Sequence, residues 1–216
     1  MRVTRASSTS RRSLPPHFSL LKSFTLADFI TLVNAVSGVS SIFACLEYAV
    51  SGSQRYLWTA IALIPLAALA DFMDGRVARR SRRTSSLGGD LDSLADLISF
   101  GVAPAALAFV VGMNGGWDWL VLAYFVCCGL SRLARYNVTA SALSDESGKV
   151  KYFEGTPIPT SLVLVLGIAV LVATNHIHAA LPLGALRAGG SFHPLVLAYF
   201  ASGSAMISAR LRVPKP

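Results

Sequence analysis

Charge is scarce in this sequence. Only 14% of its 216 residues are Asp, Glu, Lys or Arg, while 53% are hydrophobic and the mean hydropathy is +0.56. Soluble domains carry about a quarter charged residues, so this composition excludes an ordinary soluble enzyme and points to a membrane protein. Cysteine is scarcer still, at three residues. Cys45, Cys127 and Cys128 all fall in apolar stretches, without metal-ligand spacing, and adjacent cysteines rarely pair. That excludes a disulfide scaffold and a zinc site. No internal repeat and no second domain stand out. The first two dozen residues lack the apolar core and small-residue cleavage site of a secretory leader. They read instead as a basic arm interrupted by Pro15 and Pro16, entering a short interfacial helix around Phe18, Leu20, Leu21 and Phe24.

Six segments approach the ~20 apolar residues that cross a bilayer. They run roughly Leu26–Val50, Tyr56–Met73, Leu94–Gly112, Trp117–Leu133, Ile158–His176 and Phe192–Ala209. The expected fold is therefore an all-α integral membrane protein of six transmembrane helices with a short N-terminal interfacial helix. Its divisions are a basic arm (1–24), a six-helix domain (25–210) and a basic tail (211–216). Basic residues test the partition: 17 of 19 fall on one side of it, with Arg55 and Arg187 on the other. By the positive-inside rule both termini then face the cytoplasm. The net charge of +8 reads as this bias plus attraction to anionic lipid, so nucleic acid is not an expected partner.

Against that background five of the eleven carboxylates crowd into 26 residues: Asp71, Asp74, Asp90, Asp92 and Asp96. Acidic groups at the edge of membrane helices are costly and call for a compensating partner. Asp71 and Asp74 are three apart and share one helix face, while Gly88, Asp92 and Asp96 step by four along another. Asp90 lies off that stripe, as a solvated or capping residue. Four carboxylates converging from two helices suit one or two hard cations, which take oxygen ligands. The competing reading pairs these carboxylates with local arginines such as Arg76, Arg79 and Arg80. Small residues around the cluster would let a ligand approach the backbone closely, or would serve ordinary helix packing.

Written out, the pattern is Asp71-x2-Asp74-Gly75-x2-Ala78-Arg79-x8-Gly88-x3-Asp92-x3-Asp96. It resembles the signature of the CDP-alcohol phosphotransferase family at all eight positions, and that family has six transmembrane helices. The resemblance implies that Asp71, Asp74, Asp92 and Asp96 bind two divalent cations, Mg2+ or Mn2+, and that Asp96 is the general base. It implies that Gly75, Ala78, Arg79 and Gly88 surround the CDP part of the substrate. Thr31 and Asn34 match a shorter Thr-x2-Asn element lining the nucleotide site, and an Asn in a membrane helix also serves as interhelical glue.

The continuation SLADLISFGVAPA and the later blocks SRLARYNVTA and KYFEGTPIPTSL resemble the serine-using, integral-membrane branch of the family, of fungal and archaeal type. This implies CDP-diacylglycerol and L-serine as substrates. Arg132 and Arg135, three apart at the end of the fourth span, offer guanidinium forks for the serine carboxylate, or anchor the span at the interface. Tyr136, Asn137, Lys151, Phe153 and Glu154 are their expected neighbours, with Glu154 a candidate for the serine ammonium. The resemblance also implies a possible homodimer, an active site facing the cytoplasm and, in a eukaryote, the endoplasmic reticulum membrane. Alternatives are another acceptor (glycerol 3-phosphate, inositol or phosphatidylglycerol), a membrane prenyltransferase, or a divalent-cation transporter.

Overall fold

The computed structural model describes residues 25–80, 88–143, 152–187, 190–208 and 212–214, with the backbone alone at 79–80, 139–143, 152–154, 187 and 212–214. The expected basic arm and interfacial helix, 1–24, lie outside the described residues.

Among the described residues seven α-helices carry the fold. Helix α1 (Leu26–Ser51) opens on a capping box: Asp28 N donates to Thr25 Oγ1 and Thr25 N to Asp28 Oδ2, satisfying two otherwise orphaned donors. It closes at Gly52, whose φ of 66° is the left-handed geometry glycine adopts without strain. Two residues later α2 (Gln54–Arg80) begins, so short a link that the helices return antiparallel and pack along their lengths. The buried face of α1 is built from small or polar residues (Ala27, Thr31, Asn34, Gly38, Ser41, Cys45), spaced three or four apart. Its exposed face is Phe29, Val33, Val36, Phe43 and Leu46, large apolar groups turned toward lipid. Lipid is as apolar as leucine, so close backbone packing rather than hydrophobic burial joins such helices. Ser41 Oγ donates to Ala60 O at 2.8 Å across that seam.

Helix α3 (Gly88–Asp96) runs into a π-helical segment, Leu97–Val102, and on into α4 (Ala103–Val110). The bulge starts immediately after Asp96, and π-bulges inside α-helices concentrate at functional sites. Helix α5 (Gly116–Leu143) crosses back, and α6 (Leu162–Ala173) and α7 (Leu197–Ile207) complete the bundle. Gly203 admits α7 to the α5 backbone, since a Cβ there would sit 3.2 Å from Phe125 Cα.

Among the described residues four stretches are long and apolar enough to span a membrane: Leu26–Ser51, Gln54–Ala78, Gly88–Val110 and Gly116–Val138. The segments expected fifth and sixth are helical but shorter, at Ile158–Ala173 and Pro194–Ile207. The protein is a mostly helical integral membrane protein. Two small antiparallel pairs interrupt the helical plan, β1 (Tyr152–Glu154) with β4 (Arg212–Pro214) and β2 (Leu186–Arg187) with β3 (Ser191–Phe192). Hydropathy carries no signal for pairings this short.

Candidate active site

One end of the bundle gathers the start of α1, the end of α2, the start of α3 and the end of α5. The last turns of α2 present Asp71 and Asp74, and α3 presents Asp92 and Asp96. Oxygens of Asp71, Asp74 and Asp92 all lie within 4.8 Å of one another. Asp96 falls outside that trio, one helical turn beyond Asp92. Asp74 and Asp96 are buried, and Asp71 and Asp92 are half-buried.

Helix α1 holds two of these carboxylates. Thr31 Oγ1 donates to Asp74 Oδ2 at 2.7 Å, and Asn34 Nδ2 donates to Asp96 Oδ1 at 3.0 Å. Both residues, expected to line a nucleotide site, thus direct their polar atoms at the acidic groups. Sequence reasoning missed what holds Asn34 itself. Ser99 Oγ, in the π segment, donates to Asn34 O at 3.0 Å. Gly38, one turn further along α1, lets this happen: a Cβ there would run into the Ser99 hydroxyl and come within 2.8 Å of Ser99 Cα. Its spacing of four from Asn34, on the buried stripe of α1, was the available signal.

The acidic groups retain unsatisfied capacity. Among the described residues Asp92 Oδ1 is buried without a hydrogen-bond partner, as are Asn34 Oδ1 and Arg132 Nε. Among the same residues no Lys or Arg forms an ion pair with the four aspartates, and the salt bridge present is His193–Asp118, at the far end. Buried polar atoms are ordinarily paired, so these orphans leave the cluster with bonding capacity that an ion or water can take up. Clustered carboxylate oxygens are the donors a hard divalent cation takes, and the aspartate set fits one.

Beside the cluster lies a cavity of about 810 Å³. Asp90, Asp92, Ser93 and Asp96 line it from α3, Arg132, Tyr136 and Asn137 from α5, and Pro157–Pro159 from the entry to α6. The expected acceptor residues Arg132, Tyr136 and Asn137 are therefore brought to Asp96. Arg135 is exposed and is not among the lining residues. Gly75 and Gly88 are half-buried and Ala78 is exposed, Gly75 and Ala78 on α2 beyond Asp74 and Gly88 at the first residue of α3. The side chains of Arg79, Phe153 and Glu154 lie outside the described residues, as does all of Lys151.

An α-helical membrane bundle with clustered aspartates beside a cavity that Asp and Arg side chains line at one end fits a membrane enzyme that handles a charged substrate. A family profile for CDP-alcohol phosphatidyltransferase matches residues 24–197. A CDP-diacylglycerol–serine O-phosphatidyltransferase from Saccharomyces cerevisiae is 48% identical over 204 residues, 93% of this chain and 74% of that protein. One of the same name from Methanocaldococcus jannaschii is 32% identical over 164 residues, covering 76% and 70% of the two chains. An archaetidylserine synthase from Methanothermobacter thermautotrophicus is 38% identical over 143 residues, 65% and 55%. This chain belongs to the CDP-alcohol phosphatidyltransferase family.

Proposed function

We propose that the chain transfers the phosphatidyl group of CDP-diacylglycerol to L-serine, giving phosphatidylserine and CMP. The observation carrying this reading is the shared cavity, where Arg132 meets the aspartate that would act as base, beside the carboxylate trio. In this reading Arg132 takes the serine carboxylate by a charge-assisted hydrogen bond, its buried and unpartnered Nε being one available donor. Tyr136 lies at the same wall. Asp96 accepts the serine hydroxyl proton as the serine oxygen forms its bond to the phosphorus bearing diacylglycerol, and the bond from that phosphorus to the CMP oxygen breaks. Asn34 keeps the Asp96 carboxylate turned toward the acceptor. Asp71, Asp74, Asp92 and Asp96 would hold two divalent cations, Mg2+ or Mn2+, which when bound neutralise charge on the diphosphate. Gly75, Ala78, Arg79 and Gly88 would border the CDP moiety, with Thr31 and Asn34 acting through the carboxylates they hold rather than on the nucleotide itself.

Counting the short helices α6 and α7 with the four longer stretches would give a six-span plan with both ends of the domain on one side of the membrane. The basic asymmetry of the sequence supports a cytoplasmic orientation for that side. The likeness to a protein of Saccharomyces cerevisiae supports a eukaryotic membrane enzyme, for which the endoplasmic reticulum membrane and a homodimer are the proposed setting. The direct test supplies radiolabelled serine to purified protein, with and without CDP-diacylglycerol and Mg2+ or Mn2+. Labelled lipid and CMP should appear only when all are present. Label-free lipid from glycerol 3-phosphate or inositol, with none from serine, would reassign the acceptor.

A further inference from the structure

Asp90 is outside the eight signature positions, yet it is exposed to the same cavity as Arg132 and Asp96. It does not hang loosely there. Asn137 Nδ2 donates to Asp90 Oδ1 at 3.2 Å, and Asn137 Oδ1 accepts from Ser93 Oγ at 3.0 Å. Both polar atoms of the Asn137 amide are engaged by α3, which makes Asn137 a positioning residue for Asp90 rather than a substrate ligand. An α-amino acid carries a cation and an anion on one carbon, so a cavity that selects it needs one fixed group of each sign. Arg132 supplies the positive one. Of the three carboxylates that line the cavity among the described residues, Asp92 belongs to the metal-fitting trio and Asp96 is held by Asn34 for the hydroxyl proton.

We infer that Asp90, oriented by Asn137 and Ser93, receives the acceptor's ammonium group and so selects an α-amino alcohol over alcohols lacking the amine. This rests on serine being the acceptor. An oriented charge that reads a substrate's ammonium penalises an analogue lacking it, because the charge is then left unpaired.

The experiment uses the full chain purified in detergent, as wild type, D90N, D90E and N137A. For each, the KM for serine is measured together with the inhibition constants of 3-hydroxypropionate, which is serine without its amine, and ethanolamine, which lacks the carboxylate. In D90N the serine KM and the ethanolamine constant should rise about tenfold, while 3-hydroxypropionate is bound as well or better and CDP-diacylglycerol as before. D90E should restore most of the loss, and N137A, which keeps the charge but frees it, should show a smaller shift of the same pattern. Equal weakening of serine and 3-hydroxypropionate in D90N overturns the inference, and if D90N cannot be purified the same equality in N137A does so. A wild type that makes no lipid from serine instead removes the acceptor reading beneath it; an active wild type with an unselective D90N effect removes only Asp90's role.

Discussion

The two ends of this bundle use buried carboxylates in opposite ways. At the far end Asp118 is fully buried and fully occupied: it accepts from Gly115 N at 2.8 Å and His193 N at 2.9 Å, and pairs with His193 Nδ1 at 2.6 Å. Those bonds tie the start of α5 to the segment entering α7. Nearby, Tyr48 Oη pairs with His178 Nε2 at 2.7 Å, fastening the end of α1 to the loop after α6. At the near end, Asp71, Asp74 and Asp92 crowd together, and Asp92 Oδ1, Asn34 Oδ1 and Arg132 Nε are left without partners among the described residues. A carboxylate whose bonds are complete stabilises the fold; mutually repelling ones with open valence cost stability and await a ligand. Burial alone does not separate the two, whereas satisfaction does.

The strongest way to break this contrast is to truncate one carboxylate at each end. Asp71→Ala, Asp74→Ala, Asp92→Ala or Asp96→Ala should each lower turnover by about three orders of magnitude or more, and Asp71→Ala and Asp92→Ala, which orphan no donor among the described residues, should do so without lowering the thermal stability of the metal-free protein in detergent. Asp118→Ala should do the reverse. It orphans the Gly115 and His193 donors and should cost about 2–3 kcal/mol, with turnover per folded molecule retained. Thermal melts and CMP release on the same preparations decide it, and a destabilised Asp92→Ala would dissolve the distinction.

The next test sharpens it within the acidic end. Asn34→Ala removes the donor to Asp96 and should reduce kcat by about 10- to 100-fold, while the KM for either substrate changes little. A KM effect on CDP-diacylglycerol alone would return Asn34 to a nucleotide-lining role.

Much of the acidic end was legible from sequence because its chemistry is local. The intervals Asp71–Asp74 and Asp92–Asp96 are helical intervals, and a short link between two helices forces their ends together. The far end was not legible. Asp118 and His193 are 75 positions apart, and no periodicity connects a carboxylate at the start of one span with a histidine before another. The π segment was equally silent, since LISFGV has no composition that distinguishes it from α-helix. Asn137 was placed on the correct wall, but its role depends on Ser93 and Asp90, contacts that cross between helices. Arg132 and Arg135 were equivalent by spacing to a carboxylate, and only the cavity separates them.

Gly38→Ala probes the seam that joins fold to site. The added Cβ would press on the Ser99 backbone, and a backbone cannot swing aside as a flexible side chain can. Over-packing of this kind should destabilise by about 1–3 kcal/mol. It should also cut kcat several-fold, because displacing the π segment withdraws Ser99 from Asn34 O and so loosens the hold on Asp96. Loss of stability with full kcat would mean that the seam serves packing alone.

Tyr48→Phe should have the smallest effect. It deletes one hydroxyl from the far end and leaves the ring stacked on His178, with centroids 5.9 Å apart. His178 is exposed, so water can take over the lost bond and the cost should stay near 1 kcal/mol or below. Turnover should be unchanged, because no hydrogen bond of Tyr48 reaches α3. A fall in kcat from so distant and mild a change would show that the two ends are coupled through α1, and the division of labour between satisfied and unsatisfied carboxylates would then be one of degree.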